Sequence, residues 1–377
     1  MLSTWLVLDI LSGVSLNMLG YNLPLFIRAI LILFILIYGI HIRAYSKLFY
    51  LSLLLITLIS SLHLVTFQNF ISLYFTIKII FPVALIHILL KLISQKLIFH
   101  RDIIKFYTYS TLIFTLSIVS GQLFGGYKTY DYGNGLGFGS TGWFYAGNEV
   151  SITGLVLCGL GAVIYLKTKK TTDLILLITS GISTILVLTK TSVFGVLYIL
   201  IRVIKFSFTS AFILASLLYF TLLKNMDYVV MFIKRMEHDI ETAGYLNILM
   251  GGSKRIEYIK QGFFDIYDYP LIFLFGRGWN GLAENDIVDT FLSYGVFSIL
   301  ILILYIEVIG KVQRKNKIKN FKNQIFIIIF LSSIIAGHVV TSTMLAPILA
   351  IFYCSNTIDY EKNISNNKRV TFKKISF

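Results

Sequence analysis

The residues with the clearest chemical potential lie late in the chain. Glu284, Asn285 and Asp286 stand together just before an apolar run, Asp289 follows one helical turn on, and Gly295 lies beyond. The stretch before them, 224–286, holds seven Lys and Arg beside nine acids, among them Lys254, Arg255, Lys260 and Arg277. Carboxylates at a helix start are favoured by its dipole, so one reading is an N-terminal cap. The other is a reactive group, because charges at a membrane boundary are functional hypotheses by default. A second group is Gly142-Trp143-Phe144-Tyr145-Ala146-Gly147-Asn148-Glu149, which closes a Gly- and aromatic-rich stretch running from Gly125. Such aromatics form interfacial belts, or flat rings that stack on sugar faces while Asn148 and Glu149 bond hydroxyls. Lys190 stands in a Thr-Lys-Thr-Ser break between apolar runs. It either snorkels to the interface or points a cation into a cavity from a broken helix pair. Arg28 and Lys78 fall inside apolar runs, where Arg28 can snorkel outward more easily than Lys78; His338 reads as a packed histidine or an acid-base group.

The elements that must position these residues are membrane helices. Of 377 residues 56% are apolar and 14% charged, against about a quarter charged in an average soluble domain. Apolar runs of transmembrane length lie near 4–19, 25–43, 47–66, 70–93, 104–124 and 148–166, then near 172–188, 190–204, 207–223, 287–310, 324–341 and 343–356. The fold expected is therefore an all-α integral membrane bundle of about twelve transmembrane helices, one domain over 1–377. With Met1 inside, the segments 43–47, 91–105, 167–172, 202–206, 311–323 and the tail after 356 carry 22 of the 33 Lys and Arg, which makes that side cytoplasmic. Both termini then lie in the cytoplasm, 357–377 is a basic cytoplasmic tail, and 224–286 is one large extracytoplasmic loop. The first apolar stretch has no basic leading region and is followed by more spans, so no cleavable signal is expected.

A net charge of +15 would suggest nucleic acid in a soluble protein; in this chain it reads as topology, and no nucleic-acid partner is expected. Cys158 and Cys354 both sit in apolar runs and read as small buried hydrophobes. Within the large loop Val229, Phe232, Ile233, Met236 and Ile240 recur at helical spacing, predicting an amphipathic surface helix over 227–241. A second helix is predicted from Ser253 to Tyr267, burying Ile256, Ile259 and Phe263 and displaying Lys254, Arg255 and Lys260. The chain then tightens at Pro270 and Gly276-Arg277-Gly278.

This order of motifs, a Gly-aromatic loop ending in Asn148, the Thr-Lys-Thr break, then a large loop with Arg255, Gly276-Arg277-Gly278, Glu284-Asn285-Asp286 and Gly295, resembles the O-antigen ligase and polymerase superfamily. It is most similar to the Wzy-type polymerases of bacterial capsule, exopolysaccharide and O-antigen, and the likeness covers about residues 120–350. The resemblance implies a metal-independent, cofactor-free, inverting glycosyltransferase with a GT-C-like bundle in the bacterial cytoplasmic membrane. Its donor and acceptor would be undecaprenyl-diphosphate-linked oligosaccharides, with a chain-length regulator and a flippase as partners. Where the ligase branch opens the span after the large loop with a His-Asn pair, this chain has Glu284-Asn285, so Glu284 takes the general-base role with Asp286 as the alternative. The ligase branch also has an arginine at the helix break, where this chain has Lys190, and one in the large loop, matched by Arg255. Lysine supplies charge without a bidentate fork. Arg255, Lys190 and Arg277 would then stabilise the diphosphate, with Lys254, Asn285, Asn148, Trp143 and His338 around the substrate.

Two other readings stay open. A ligase would hand finished glycan to a different acceptor; glutamate in place of histidine leans toward the polymerase. A lipid-linked oligosaccharide flippase or other transporter would spread its polar residues through many spans, whereas here they gather at one face.

Overall fold

The structure, a computed structural model, describes residues 2–22, 24–68, 70–131, 137–204, 230, 237, 241, 253–278, 285–312, 319–337, 339 and 341–355. Fourteen α-helices lie among them. The first five are α1 (Thr4–Leu19), α2 (Pro24–His41), α3 (Lys47–Phe67), α4 (Phe70–Ser94) and α5 (His100–Phe124). A two-residue ribbon, β1 (Tyr130–Asp131) with β2 (Gly137–Phe138), precedes α6 (Gly147–Thr168), α7 (Thr171–Ile185) and α8 (Lys190–Ile204). Further on come α9 (Ser253–Asp268), α10 (Pro270–Phe275), α11 (Asp286–Tyr294), a 3-10 turn at Gly295–Phe297, α12 (Ser298–Val312), α13 (Lys319–Ala336) and α14 (Leu345–Cys354).

Six helical stretches are long and apolar enough to cross a membrane: Pro24–His41, Lys47–Thr66, Ser72–Ser94, His100–Phe124, Gly147–Thr168 and Asp286–Val308. Shorter apolar helices occupy Thr4–Leu19, Thr171–Ile185, Asn320–Ile334 and Leu345–Cys354. The chain is thus a mostly helical, multi-pass membrane protein. The span expected at 207–223, the tail at 357–377 and, apart from residues 230, 237 and 241, the amphipathic helix at 227–241 lie outside the described residues. The helices α2 and α3 present Phe26, Phe34, Ile37, Leu54 and Val65 outward, as lipid-facing helices do. Buried at the centre is α6, every residue from Val150 to Ile164 enclosed, with α5, α7, α8, α13 and α14 packed around it.

Small residues allow that approach, since without lipid-excluding drive helices associate through close contact. A Cβ on Gly161 would stand 2.1 Å from the Tyr107 hydroxyl, and one on Gly154 would stand 2.4 Å from Thr184 Oγ1. The Gly-rich stretch before α6 is folded back onto the bundle. Tyr127 N–H donates to Gly142 O (2.8 Å), and Gly142 adopts φ +66° with its Cβ position 2.4 Å from Ser117 O. Gly142→Ala therefore meets both a left-handed backbone and α5. It is expected to cost about 1–3 kcal/mol, read as a drop in detergent melting temperature, whereas Gly147→Ala, with no neighbour inside 3.6 Å, leaves the melt unchanged.

One expectation needs correction. Ser253–Asp268 is helical as predicted, but Phe263 is 54% exposed and Phe264 63%. The face turned toward the bundle carries Gly262, whose Cβ position lies 2.6 Å from Leu292, so the backbone of α9 rests on α11 where a large ring would not fit.

Candidate active site

The start of α11 does two jobs. Asn285 caps it: its Oδ1 accepts from the N–H groups of Ile287 and Val288 (both 3.1 Å), while its Nδ2 donates to Ile334 O (2.7 Å) at the end of α13. Asp289 Oδ2 accepts from Asn285 N–H at 3.2 Å. Asp286 does not cap. Its Oδ2 accepts from the backbone N–H of Val339 (2.8 Å) and its Oδ1 from the Thr341 hydroxyl (3.4 Å), across more than fifty residues of chain. Asn285, Asp286 and Asp289 are all buried.

The segment that Asp286 holds leads into a short helix. The ten residues of α14 rise about 15 Å at 1.5 Å each, half the roughly 30 Å hydrocarbon thickness. Its far end is fixed by Lys322, whose ammonium donates to Phe352 O, Tyr353 O and the Ser355 hydroxyl, and by Lys167, which donates to Ser355 O. Cations there satisfy the last carbonyls and suit the helix dipole. The connection from α13 into α14 is non-helical at Gly337, Val339 and 341–344. Such backbone is tolerated only where protein groups satisfy it or a cavity wets it. Here Asp286 takes the Val339 N–H, Ser342 Oγ accepts from Leu345 N–H (3.2 Å), and the Ser342 hydroxyl donates to Glu149 Oε2 (2.6 Å).

The same segment meets the first two helices. Arg28, 8% exposed, pairs with Asp9, bonds Ser12, and reaches Thr343 Oγ1 at 3.4 Å. Ser12 in turn donates to Asn22. Arg28 therefore does not snorkel outward: its guanidinium is spent on a carboxylate across the α1–α2 pair. The charges of Glu149 and Lys78 also reach Asp9, and Lys78 Nζ sits 5.5 Å over the Tyr74 ring.

Lys190 opens α8 after the break the Thr-Lys-Thr-Ser motif predicted, with Leu188 at φ +59°. Thr189 supplies the cap, accepting from Ser192 N–H (3.1 Å) and sharing a 2.7 Å hydrogen bond with Ser151 of α6. Lys190 is exposed. A cation at a helix start works against the dipole, so local stability does not explain it. The Gly-aromatic stretch docks on this break: Thr129 Oγ1 donates to Val187 O (2.5 Å) and Ser140 N–H to Leu186 O (2.9 Å). Trp143 is tied into α5, its Nε1–H donating to Ser120 (2.9 Å) and its backbone N–H to Ser117 (3.2 Å). Phe144 is buried against Phe114, while Tyr145 is 66% exposed and is the ring this stretch offers to a ligand. Asn148 and Glu149 lie in the first turn of α6.

The remaining predicted residues separate. Arg277 pairs with Asp265 of α9, and its N–H donates to Leu292 O, so it sits toward the far end of α11, about 9 Å along the axis from Asp286. Partial burial holds its guanidinium below its ordinary range. Lys254 and Arg255 stand in the first turn of α9. Glu284 and His338 lie outside the described residues. The structure thus joins Asn285 and Asp286 to Glu149 through 334–342, and adds Asp9, Arg28 and Thr341–Thr343. Of these Asp9 had a signal in the sequence, an acid in the apolar run next to the one that holds Arg28.

The fold and this polar centre define a class: a multi-pass helical membrane protein whose buried charged groups gather around the non-helical connection from α13 to α14. The chain belongs to the O-antigen ligase-like membrane protein family, whose model matches residues 5–233. No curated protein and no solved structure matches it. The matched residues include Arg28, Glu149 and Lys190; Arg255, Glu284 and Asp286 fall after them.

Proposed function

We propose that the protein polymerises undecaprenyl-diphosphate-linked repeat units into a surface polysaccharide. It does so at the outer face of the bacterial cytoplasmic membrane, as a GT-C-type bundle of about twelve spans with both termini inside. The family already implies a membrane enzyme acting on lipid-linked glycans. The single observation that supports the finer reading is the non-helical connection from α13 to α14, held by Asp286 at Val339 and Thr341 and by Glu149 at Ser342, which gathers buried polar groups between apolar helices.

The chemistry is a displacement. An acceptor hydroxyl oxygen bonds to the donor's anomeric carbon as the bond from that carbon to the diphosphate breaks, its electron pair leaving on phosphate oxygen and the configuration inverting. Glu284, next to the Asn285 cap, receives the hydroxyl proton. Arg255 and Lys190 meet the charge that develops on the diphosphate. Asp286, with both oxygens engaged, acts as an anchor for the backbone of Val339 and the hydroxyl of Thr341. Arg277, committed to Asp265, fixes the α9–α10 hairpin whose exposed Phe263, Phe264, Tyr267 and Leu271 suit a lid lying on the bilayer. The ligase reading keeps one observation in its favour, the family whose model matches, and differs only in the acceptor.

Purified protein in lipid, given lipid-linked repeat units and a chelator, is expected to yield a ladder of lengthened glycans. Arg255→Ala is expected to slow it about ten- to a hundredfold, the effect of one charge-assisted hydrogen bond. A wild-type preparation that lengthens nothing overturns the polymerase reading. Transfer only to an unrelated acceptor turns it into the ligase.

A further inference from the structure

We propose that Glu149, Ser342, Thr343 and the Asp9–Arg28 pair form a subsite for the hydroxyl-rich sugar headgroup of the acceptor, separate from the diphosphate cradle of Lys190 and Arg255. This deepens the polymerase reading and rests on it. Four helices, α1, α2, α4 and α6, each bring a charged side chain to one place in a bundle where burying charge is expensive. A structural plug would leave no hydrogen-bonding capacity over. Here capacity remains: Asp9 Oδ2 and Arg28 Nε are buried with no partner, in residues that are each 8% exposed. Glu149, half-buried, uses only Oε2, on Ser342, and among the described residues its Oε1 takes no hydrogen bond. The Ser342 bond joins residues 193 apart in the chain, so Glu149 is not spent on its own helix end.

The donor set selects the ligand. Arg28 is already paired with Asp9 and the carboxyl group of Glu149 stands close by, so this place is no unopposed cationic cradle for a diphosphate. What remains open is two acceptors and a guanidinium N–H, with the Thr343 hydroxyl alongside. A neutral polyol fits, because each hydroxyl can donate to a carboxylate and accept from a cation. The acceptor's carrier lipid can enter between α1 and α2, whose outer faces are apolar and exposed.

The test uses the full chain in lipid nanodiscs with two probes. One is the native lipid-linked repeat unit, extracted from cells lacking the protein, as donor. The other is the same repeat unit on a carbon-linked phosphonate, which accepts but cannot leave. Glu149→Gln is expected to raise the half-saturating concentration of the phosphonate acceptor about ten- to a hundredfold, with a much smaller shift for the donor; Glu149→Asp recovers part of the loss. Equal shifts for donor and acceptor, or none, overturn the subsite. A hydrophobic carbodiimide, mapped by peptide mass, gives a readout independent of turnover: labelling of Glu149 is expected to fall when the phosphonate acceptor is present. Should the wild type form no ladder, the polymerase reading falls by itself. Protection of Glu149 then still upholds the sugar subsite, and unprotected labelling removes it.

Discussion

Replacing Glu284 by glutamine is expected to lower glycan lengthening by about two to four orders of magnitude, the usual contribution of a general base, the role proposed for it. The substitution keeps size and hydrogen-bonding shape and removes only the proton acceptor, so the melting curve is expected to stay in place. Asp286→Asn provides the contrast two residues further on. The amide oxygen can still accept from Val339 N–H while the amide NH2, in place of the second oxygen, donates to the Thr341 hydroxyl oxygen, so lengthening is expected to fall far less. Asp286→Ala leaves a buried N–H unsatisfied in the non-helical segment and is expected to cost about 1–3 kcal/mol. Initial rates with each variant at saturating repeat unit decide the matter. If Asp286→Asn is the dead variant and Glu284→Gln is active, the base and the anchor have been assigned the wrong way round.

The largest stability effect is expected at the other end of the chain. Arg28→Met strands Asp9 as a buried carboxylate, which by comparison with broken buried pairs costs about 3–5 kcal/mol. Adding Asp9→Leu removes the stranded charge, and the double variant is expected to regain most of the lost stability, since apolar replacements of whole buried pairs are often neutral. Chemical denaturation in detergent measures both. The double variant separates structure from chemistry: if Asp9 and Arg28 bind acceptor sugar, it melts like wild type yet requires far more acceptor. A double variant as unstable as Arg28→Met alone would show that the pair, not the stranded charge, sets the stability.

What could be read from the amino-acid order followed from rules the bilayer imposes. Apolar run length located α1 to α8 and α12 to α14, although only six described stretches are long enough to cross a membrane and α14 has ten residues, and Thr189-Lys190-Thr191-Ser192 announced a helix restart because hydroxyl caps are strong local signals. The cap reading of the Glu284-Asn285-Asp286 cluster held for Asn285. Long-range partners were beyond reach. Asp286 finds a backbone N–H on Val339, and a backbone donor leaves no mark in side-chain order. Arg28 looked free to snorkel, because an arginine near a helix end shows nothing of the aspartate opposite it. Phe263 was assigned inward from spacing alone, whereas the contact with Leu292 is made by Gly262, a residue that carries no hydropathy signal.

The connection between α13 and α14 also makes the polar centre a joint product of distant parts of the chain. Asp9 and Arg28 come from the first two helices and Glu149 from the sixth, while Val339, Ser342 and Thr343 close on them or on their neighbours. No contiguous piece of the sequence carries the centre, so a disturbance that loosens any one of these helices is felt by side chains on all of them.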